Sequence, residues 1–375
     1  MEVAAVIVLF GATGYTGGRV AQAMVQRGLA PILAGRNAGR LSSMASRLGD
    51  LEVARADVAD AASVRALITR GDVLVSTVGP FIRLGEPAVR AAIEAGAIYL
   101  DSTGEPPFIR RVFEEFGPAA QRTGASLITA FGHDYVPGNL AGALALRDAR
   151  GQVHRIEVAY LIAGAGRAQV ISRGTFGSAA GLLTEQSFTW RRGIQPEPTA
   201  SRIRILKLGG LECPAVAVGA TEHYALPRLA GAAGLSQVDV FFGRCAPPTR
   251  LAQLSCRIIP ALLALPGARA LAARIGTLAQ RYVAEQPDPG ALAKVSSHVL
   301  ATAYDASGAE LAQVNLSSGD PYQLTADLLA WGAQRAAEHG VSGPGALGPV
   351  AAFGLDALAA GAREVGLSRY RQHDR

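Results

Sequence analysis

Lysine is almost absent. Lys207 and Lys294 are the only two in 375 residues, so nearly all of the positive charge is arginine. A Schiff-base mechanism would have only those two amines to draw on. Cysteine is scarce too. Cys213, Cys245 and Cys256 have no metal-type spacing and leave an odd one out, as expected in a reducing cytoplasm. Paired ligands for zinc are missing. No uncharged apolar run approaches the roughly 18 residues that a spanning helix needs. The nearest stretch, Ile258 to Ala268, is short and interrupted by Pro260 and Pro266. The positive mean hydropathy of +0.22 therefore reads as a large α/β core, with no integral membrane segment. Glu2 stands where a secretory signal would carry a basic residue, so a cytoplasmic protein is expected. The arginines behind the net charge of +6 are spread without interleaved aromatics, which argues against nucleic acid as a partner. An acidic ligand, such as a phosphorylated cofactor, is the other use for such charge.

What is present is rhythm. From Val3 to Ala130, six short apolar runs alternate with helical patterns: Val3–Phe10, Ala30–Ala34, Leu51–Ala56, Val73–Val78, Ile98–Asp101 and Ser126–Ala130. That spacing predicts a parallel sheet with right-handed crossovers. After Phe131 the pattern changes. His154–Ile162, Ser201–Leu208, Ser236–Gly243 and Val295–Asp305 alternate like antiparallel strands, with helical stretches near Gly177–Leu183 and Arg250–Val283. Tyr322–His339 and Leu347–Gly361 read as terminal helices. At roughly 150 residues per domain, two domains are expected. The organisation predicted is a dinucleotide-binding Rossmann domain over 1–131, an α+β substrate or dimerisation domain over 132–320, and C-terminal helices over 321–375 that return to the Rossmann domain.

The first turn of the chain carries the most specific signal. Gly11-Ala12-Thr13-Gly14-Tyr15-Thr16-Gly17 follows the first strand and opens a helix. Its G-x-x-G-x-x-G spacing differs from the commoner G-x-G-x-x-G, but the physics is shared. Glycines let the turn tighten and the backbone approach a pyrophosphate at the helix N-terminus. The second strand ends in Leu33-Ala34-Gly35-Arg36-Asn37. A carboxylate for the ribose 2′-hydroxyl is absent, and Arg36 stands where a 2′-phosphate would sit, with Asn37 beside it and Arg40 placed to assist. That predicts NADP(H). Asp57 and Val58, after the third strand, are placed to border the adenine; Thr77, Val78, Gly79 and Pro80, after the fourth, border the ribose and nicotinamide side.

Several reaction classes drop out. No tyrosine has a lysine four residues on, so the short-chain dehydrogenase arrangement is missing. A phosphate-releasing, semialdehyde-forming reductase needs a cysteine nucleophile soon after the Rossmann domain, yet the first cysteine is Cys213. What remains is direct hydride transfer to a polarised double bond, with a proton donor at its other end. Two polar clusters lie at strand ends facing the cofactor crevice: Asp101-Ser102-Thr103-Gly104-Glu105, and Gly132-His133-Asp134-Tyr135-Val136-Pro137-Gly138-Asn139 at the domain junction. Asp101 and Thr103 are assigned to the cofactor side. His133, Asp134 and Tyr135 are the candidate catalytic residues. Competing readings are helix capping for Asp101 and Asp134, a packed loop histidine for His133 and an apolar wall for Tyr135.

These residues also carry a resemblance. The chain resembles the saccharopine-reductase-like oxidoreductases, and most closely their bacterial trans-acting enoyl reductase branch. The supporting stretches are Gly11 to Gly18, Val78-Gly79-Pro80 with Gly85-Glu86-Pro87, Tyr99 to Glu105, Gly132 to Pro137 before Asn139, and Gly319-Asp320-Pro321-Tyr322 with Leu324-Thr325-Ala326. The resemblance implies NADP(H), an α/β domain inserted after the Rossmann unit, and a C-terminal helix returning to it. His133 departs from the pattern, where an aromatic or apolar residue usually precedes the aspartate. The function expected is NADPH-dependent reduction of an activated C=C bond, enone or enoyl, in bacterial secondary metabolism. Imine reduction and a non-catalytic NADP-sensing regulator are the alternatives. A small-molecule substrate, free or bound to a carrier protein, and a homodimer are compatible with this reading.

Overall fold

In the computed structural model the described residues are 5–164, 186–198, 200–229, 234–245, 265, 267–279, 282–283 and 286–370. The expected helix at Gly177–Leu183 lies outside them, as does most of the one at Arg250–Val283. The chain divides into two units. The first comprises 1–104, 108–136 and 321–365; the second comprises 105–107, 137–320 and 366–375.

The first unit is built on a parallel sheet. Its strands are β1 (Ile7–Phe10), β2 (Ile32–Gly35), β3 (Val53–Arg55), β4 (Val73–Ser76), β5 (Ile98–Asp101) and β6 (Ser126–Ile128). The spatial order is β6-β5-β4-β1-β2-β3, with a two-residue strand, Gly345–Ala346, added parallel beyond β6. The chain reverses direction across the sheet between β1 and β4, which is where doubly wound sheets open a ligand crevice at their strands' carboxyl ends. β1 and β4 are buried along their whole length. This is why they read as continuous apolar runs: helices cover both faces, so no alternation survives.

The C-terminal helices return to this unit. Helix Pro321–His339 packs along helix Tyr15–Gln26, with Tyr15 and Tyr322 edge-on at 5.1 Å. Arg27 ties both ends of the returning segment, to Gln334 at 2.9 Å and Glu364 at 2.6 Å. Phe131, Trp331 and Phe353 form one aromatic cluster beneath the end of β6. The helical stretch expected over Leu347–Gly361 is two helices, Pro349–Phe353 and Leu355–Glu364, because Gly354 breaks it at φ +81. Ser368–Arg369 leaves this unit for the second sheet, so the tail is not helical to its end.

The second unit is a mixed sheet. Its strands are β7 (Arg155–Ala163), β8 (Phe188–Arg191), β9 (Ile194–Pro196), β10 (Ile203–Leu208), β11 (Leu211–Ala217), β12 (Gln237–Arg244), β13 (Ser296–Tyr304) and β14 (Glu310–Ser318). The order is β10-β11-β12-β7-β13-β14, then Ser368–Arg369; β8 joins β12 and pairs with β9. β7, expected to be antiparallel, is antiparallel to β13 but parallel to β12. β11 and β14 were not separated by sequence pattern, because a proline and a cysteine interrupt the first and a polar run hides the second.

One cysteine expectation changes. Ala215 pairs with Gly243, and that register sets Cys213 opposite Cys245. The two form a disulfide with Cα atoms 4.0 Å apart, inside the cluster of Ala159, Leu161, Ala215 and Phe241. Cysteines 32 positions apart become neighbours through antiparallel pairing, which spacing alone does not reveal. Among the described residues, no helix is long and apolar enough to cross a membrane, and no cluster of His, Cys, Asp or Glu could hold a metal ion.

Candidate functional site

β1 delivers the glycine loop to the carboxyl edge of the sheet. Gly11 has φ +91, a conformation that L side chains rarely adopt. Its amide and that of Ala12 both donate to the Ala34 carbonyl, at 2.9 and 3.3 Å, which folds the loop over the end of β2. A Cβ at Gly17 would lie 2.2 Å from the Gly11 carbonyl oxygen, so the helix and the loop touch backbone to backbone. Thr77, after β4, braces the same loop; its hydroxyl donates to the carbonyls of Phe10 and Gly11 at 3.3 and 3.2 Å. Gly14 caps helix Tyr15–Gln26 without a side-chain hydrogen bond, and no acid occupies the first turn. A helix N-terminus in that state favours an anion in front of it. The loop therefore fits a dinucleotide pyrophosphate: Cβ atoms at Gly11, Gly14 and Gly17 would meet protein atoms at 2.8, 3.3 and 2.2 Å, so only glycines let the turn close this tightly onto the helix N-terminus, with Thr13, Tyr15 and Thr16 half-buried along it.

The end of β2 fits a phosphate as well. Arg36 is exposed, and no ion pair engages it among the described residues. Arg40 is exposed beside it. Asn37 is already committed: its Oδ1 accepts from the Arg40 amide at 2.9 Å as the cap of helix Ala38–Arg47. Sequence reading missed Arg55. It lies in register with Gly35 on the neighbouring strand and is also exposed. Asp57 Oδ1 accepts from the Ala59 amide at 3.0 Å, and its own amide donates to Ser63 Oγ at 3.0 Å. This is a self-contained turn, with Val58 half-buried at its tip. Val78 and Pro80 are half-buried and Gly79 is exposed after β4, with a cis Gly79–Pro80 bond.

Asp101 has a different place from the one expected. It is fully buried, and its oxygens accept from Thr103 N at 2.9 Å, Ala130 N at 2.9 Å and Thr129 Oγ1 at 2.7 Å. Thr103 is fully buried too. Neither side chain is exposed to a ligand; Asp101 instead ties the loop after β5 to the loop after β6. Burial pushes its carboxyl up to about 6, against the downward pull of those donors.

The loop after β6 carries the candidate acids. His133 Nδ1 lies 2.7 Å from Asp134 Oδ1. The carboxylate accepts, which sets the imidazole proton on Nδ1. The histidine side chain is 6% exposed and the aspartate 36%, so the ring backs a carboxylate that reaches solvent. The other oxygen, Oδ2, faces Gly104, where a Cβ would come within 3.0 Å. The loops after β5 and β6 thus converge on Asp134. Thr325, in the returning helix, accepts from the His133 amide at 3.0 Å and donates to the Pro321 carbonyl at 2.8 Å. Leu324-Thr325-Ala326 stood out in the sequence only as part of the resemblance; its contact with position 133 spans 192 residues and has no local signature. Tyr135 is buried, at 3% exposure, and its amide donates to Ala130 O at 2.8 Å.

The second unit holds its own buried polar network. Gly138 N, in the first turn of helix Val136–Asp148, donates to Tyr160 Oη at 2.9 Å, and Tyr160 donates to Glu222 Oε1 at 2.6 Å. Asn139 Nδ2 donates to Thr221 Oγ1 at 2.8 Å. His223 is 1% exposed, and burial pushes its pKa down to about 4.

Comparison with known proteins bears directly on the glycine loop. Residues 7–128 match the saccharopine dehydrogenase NADP-binding domain. The first unit therefore contains an NADP-binding domain of the saccharopine dehydrogenase type. A trans-acting enoyl reductase of Mycobacterium ulcerans is 38% identical over 140 residues, covering 36% of this chain and 34% of that protein. A trans-acting enoyl reductase of Mycobacterium tuberculosis is 37% identical over 140 residues, with the same coverage. The match thus spans about a third of the length of these relatives. Two solved structures share the fold along nearly the whole chain. Saccharopine dehydrogenase (L-Glu forming) of Saccharomyces cerevisiae has a TM-score of 0.60 at 13% identity, covering 97% of this chain and 99% of that one. The homospermidine synthase of Legionella pneumophila, solved with NAD, has 0.59 at 10% identity, covering 98% and 91%. The cofactor is NADP(H), as expected.

Proposed function

We propose that this protein is an NADPH-dependent oxidoreductase that reduces an activated C=C bond, enone or enoyl, of a small molecule. The observation that carries the reading is the His133–Asp134 pair, 2.7 Å apart on the loop after β6, at the same strand edge as the NADP cradle. The similarity to trans-acting enoyl reductases over the NADP-binding domain supports the choice of acceptor.

When bound, NADPH supplies a hydride from its nicotinamide. The chain's own residues do the rest. Gly11, Gly14 and Gly17 would bring backbone against its pyrophosphate, and Arg36 would pair with its 2′-phosphate. Asp134 presents a half-exposed carboxyl, and His133 holds its inner oxygen. The pair relays the proton that completes reduction, taken up from solvent at the partly exposed Asp134 carboxyl. Asp101 holds the loop in register from beneath. Tyr135, buried at 3% exposure, serves as a wall of this loop. The organisation proposed remains an NADP-binding domain, a substrate domain and returning helices, with an acceptor free or carrier-bound.

The test is NADPH oxidation by the purified protein with an α,β-unsaturated ketone, an enoyl thioester and a preformed imine. Oxidation with the first two and not the third is expected. Turnover with the imine alone would transfer the reading to C=N reduction. No oxidation with any acceptor, together with tight binding of both NADPH and NADP+, would replace it with an NADP-sensing role.

A further inference from the structure

Helix Ala268–Ala279 wears its apolar face outward. Leu271, Ile275 and Leu278 are 61%, 58% and 58% exposed. Their i, i+4, i+7 spacing puts them on one face. Ala272, Gly276 and Ala279, one position further around the helix, are half-buried, so the large apolar side chains are the more exposed ones. Leu265 before the helix and Tyr282 after it, at 57% and 92%, extend the apolar surface at both ends. Ordinary surface helices show the reverse, and a contiguous exposed patch of this kind marks an interaction surface.

The charge of the surrounding sequence is one-sided. Between Asp239 and Glu285 the chain has six arginines, at 244, 250, 257, 269, 274 and 281, and no acidic residue. Arg274 is exposed beside Ile275, at the border of the apolar stripe. An apolar stripe with the exposed Arg274 at its border, in a stretch of sequence that has arginines and no acid, fits an anionic, deformable apolar phase. A bilayer accepts an exposed apolar helix face without a matching groove, whereas a protein partner would have to supply one. A terminal tyrosine suits the headgroup level. The helix is too short to span, so its place is in the interface plane. We infer that helix Ala268–Ala279, with Leu265 and Tyr282, docks this protein peripherally on an anionic lipid surface. The inference does not depend on the reaction assigned above.

Co-sedimentation of the full chain with phosphatidylglycerol-containing vesicles, against pure phosphatidylcholine vesicles, tests it. Partition to the anionic vesicles should be roughly tenfold stronger and should weaken with added salt. Leu271→Glu with Ile275→Glu should lower it by roughly tenfold or more, and Arg274→Glu should lower it on anionic vesicles alone. Because these side chains are exposed, thermal unfolding should be unchanged. Tyr282→Trp should give a blue-shifted emission on anionic vesicles. Absence of sedimentation with either vesicle would overturn the proposal, as would equal partition of wild type and the double variant. A concentration-dependent dimer that the same substitutions dissolve, without vesicle binding, would assign the ridge to a second copy instead. Retention by an acidic protein with no vesicle binding would likewise overturn it.

Discussion

His133 Nδ1 and Asp134 Oδ1, on consecutive residues, lie 2.7 Å apart, with the ring buried and the carboxylate half-exposed. Adjacent residues in a regular strand point to opposite faces, so this contact exists only because the loop after β6 leaves the extended path. If the pair handles the proton of the reaction, His133→Ala and Asp134→Asn should each lower kcat by roughly 100-fold or more and leave the NADPH dissociation constant nearly unchanged. Steady-state kinetics beside cofactor titration separates the two. Unchanged turnover in both variants would take the pair out of the mechanism.

Arg36 has no partner ion within the protein among the described residues, so its guanidinium is available to a phosphate. A charge-assisted hydrogen bond of this type contributes about 1.5–3 kcal/mol, or roughly 10–100-fold in affinity. Arg36→Ala should weaken NADPH by that factor and NADH hardly at all. Arg55→Ala should show a smaller preference in the same direction. Equal losses for both cofactors would sink the assignment of Arg36 to the 2′-phosphate.

Two buried groups make opposing contributions to pH-dependent stability. Asp101 is raised from 3.8 to about 6, so the folded state binds the proton more tightly than the unfolded state. Its contribution is most favourable below about pH 4 and is lost as pH rises through 6. His223 is lowered from 6.5 to about 4, so the unfolded state takes the proton first. Its contribution is present above about pH 6.5 and is lost as pH falls through 4. Each is on the order of 3 kcal/mol over its window. Between pH 4 and 6 the two slopes oppose. Asp101→Asn removes one of them, so denaturant unfolding of that variant should lose stability more steeply on acidification than wild type does. Parallel profiles for the two proteins would mean that Asp101 does not titrate in this range.

Tyr160 joins the first turn of helix Val136–Asp148 to the Glu222 carboxylate. Tyr160→Phe leaves a buried amide and a buried carboxylate each short of one partner, at about 1–3 kcal/mol. Gly138→Ala should be worse, since a Cβ there would sit on the Tyr160 and Glu222 oxygens. Both changes should lower the unfolding midpoint. A destabilisation under about 0.5 kcal/mol in Tyr160→Phe, the scale of a neutral surface change, would contradict the role given to this network.

Local pattern determined a good deal of this protein. Buried parallel strands are apolar from end to end, so β1, β4 and β5 are legible as runs. A glycine loop between a strand and a helix declares a phosphate cradle, because backbone that must touch backbone tolerates no Cβ. A strand end without a carboxylate but with Arg36 predicts NADP(H) as the cofactor. These signals need only neighbouring residues. Tertiary structure alone decided what depends on distant pairing. Asp101 reads as a ligand-facing polar residue, yet it is enclosed by donors from Thr129 and Ala130, almost thirty positions on. Cys213 and Cys245 read as unpaired until antiparallel register sets them face to face. Thr325 reaches the His133 amide only because the last long helix returns to the first sheet. The outward apolar ridge of Ala268–Ala279 is invisible to periodicity, which reports that one face is apolar but not which way that face points.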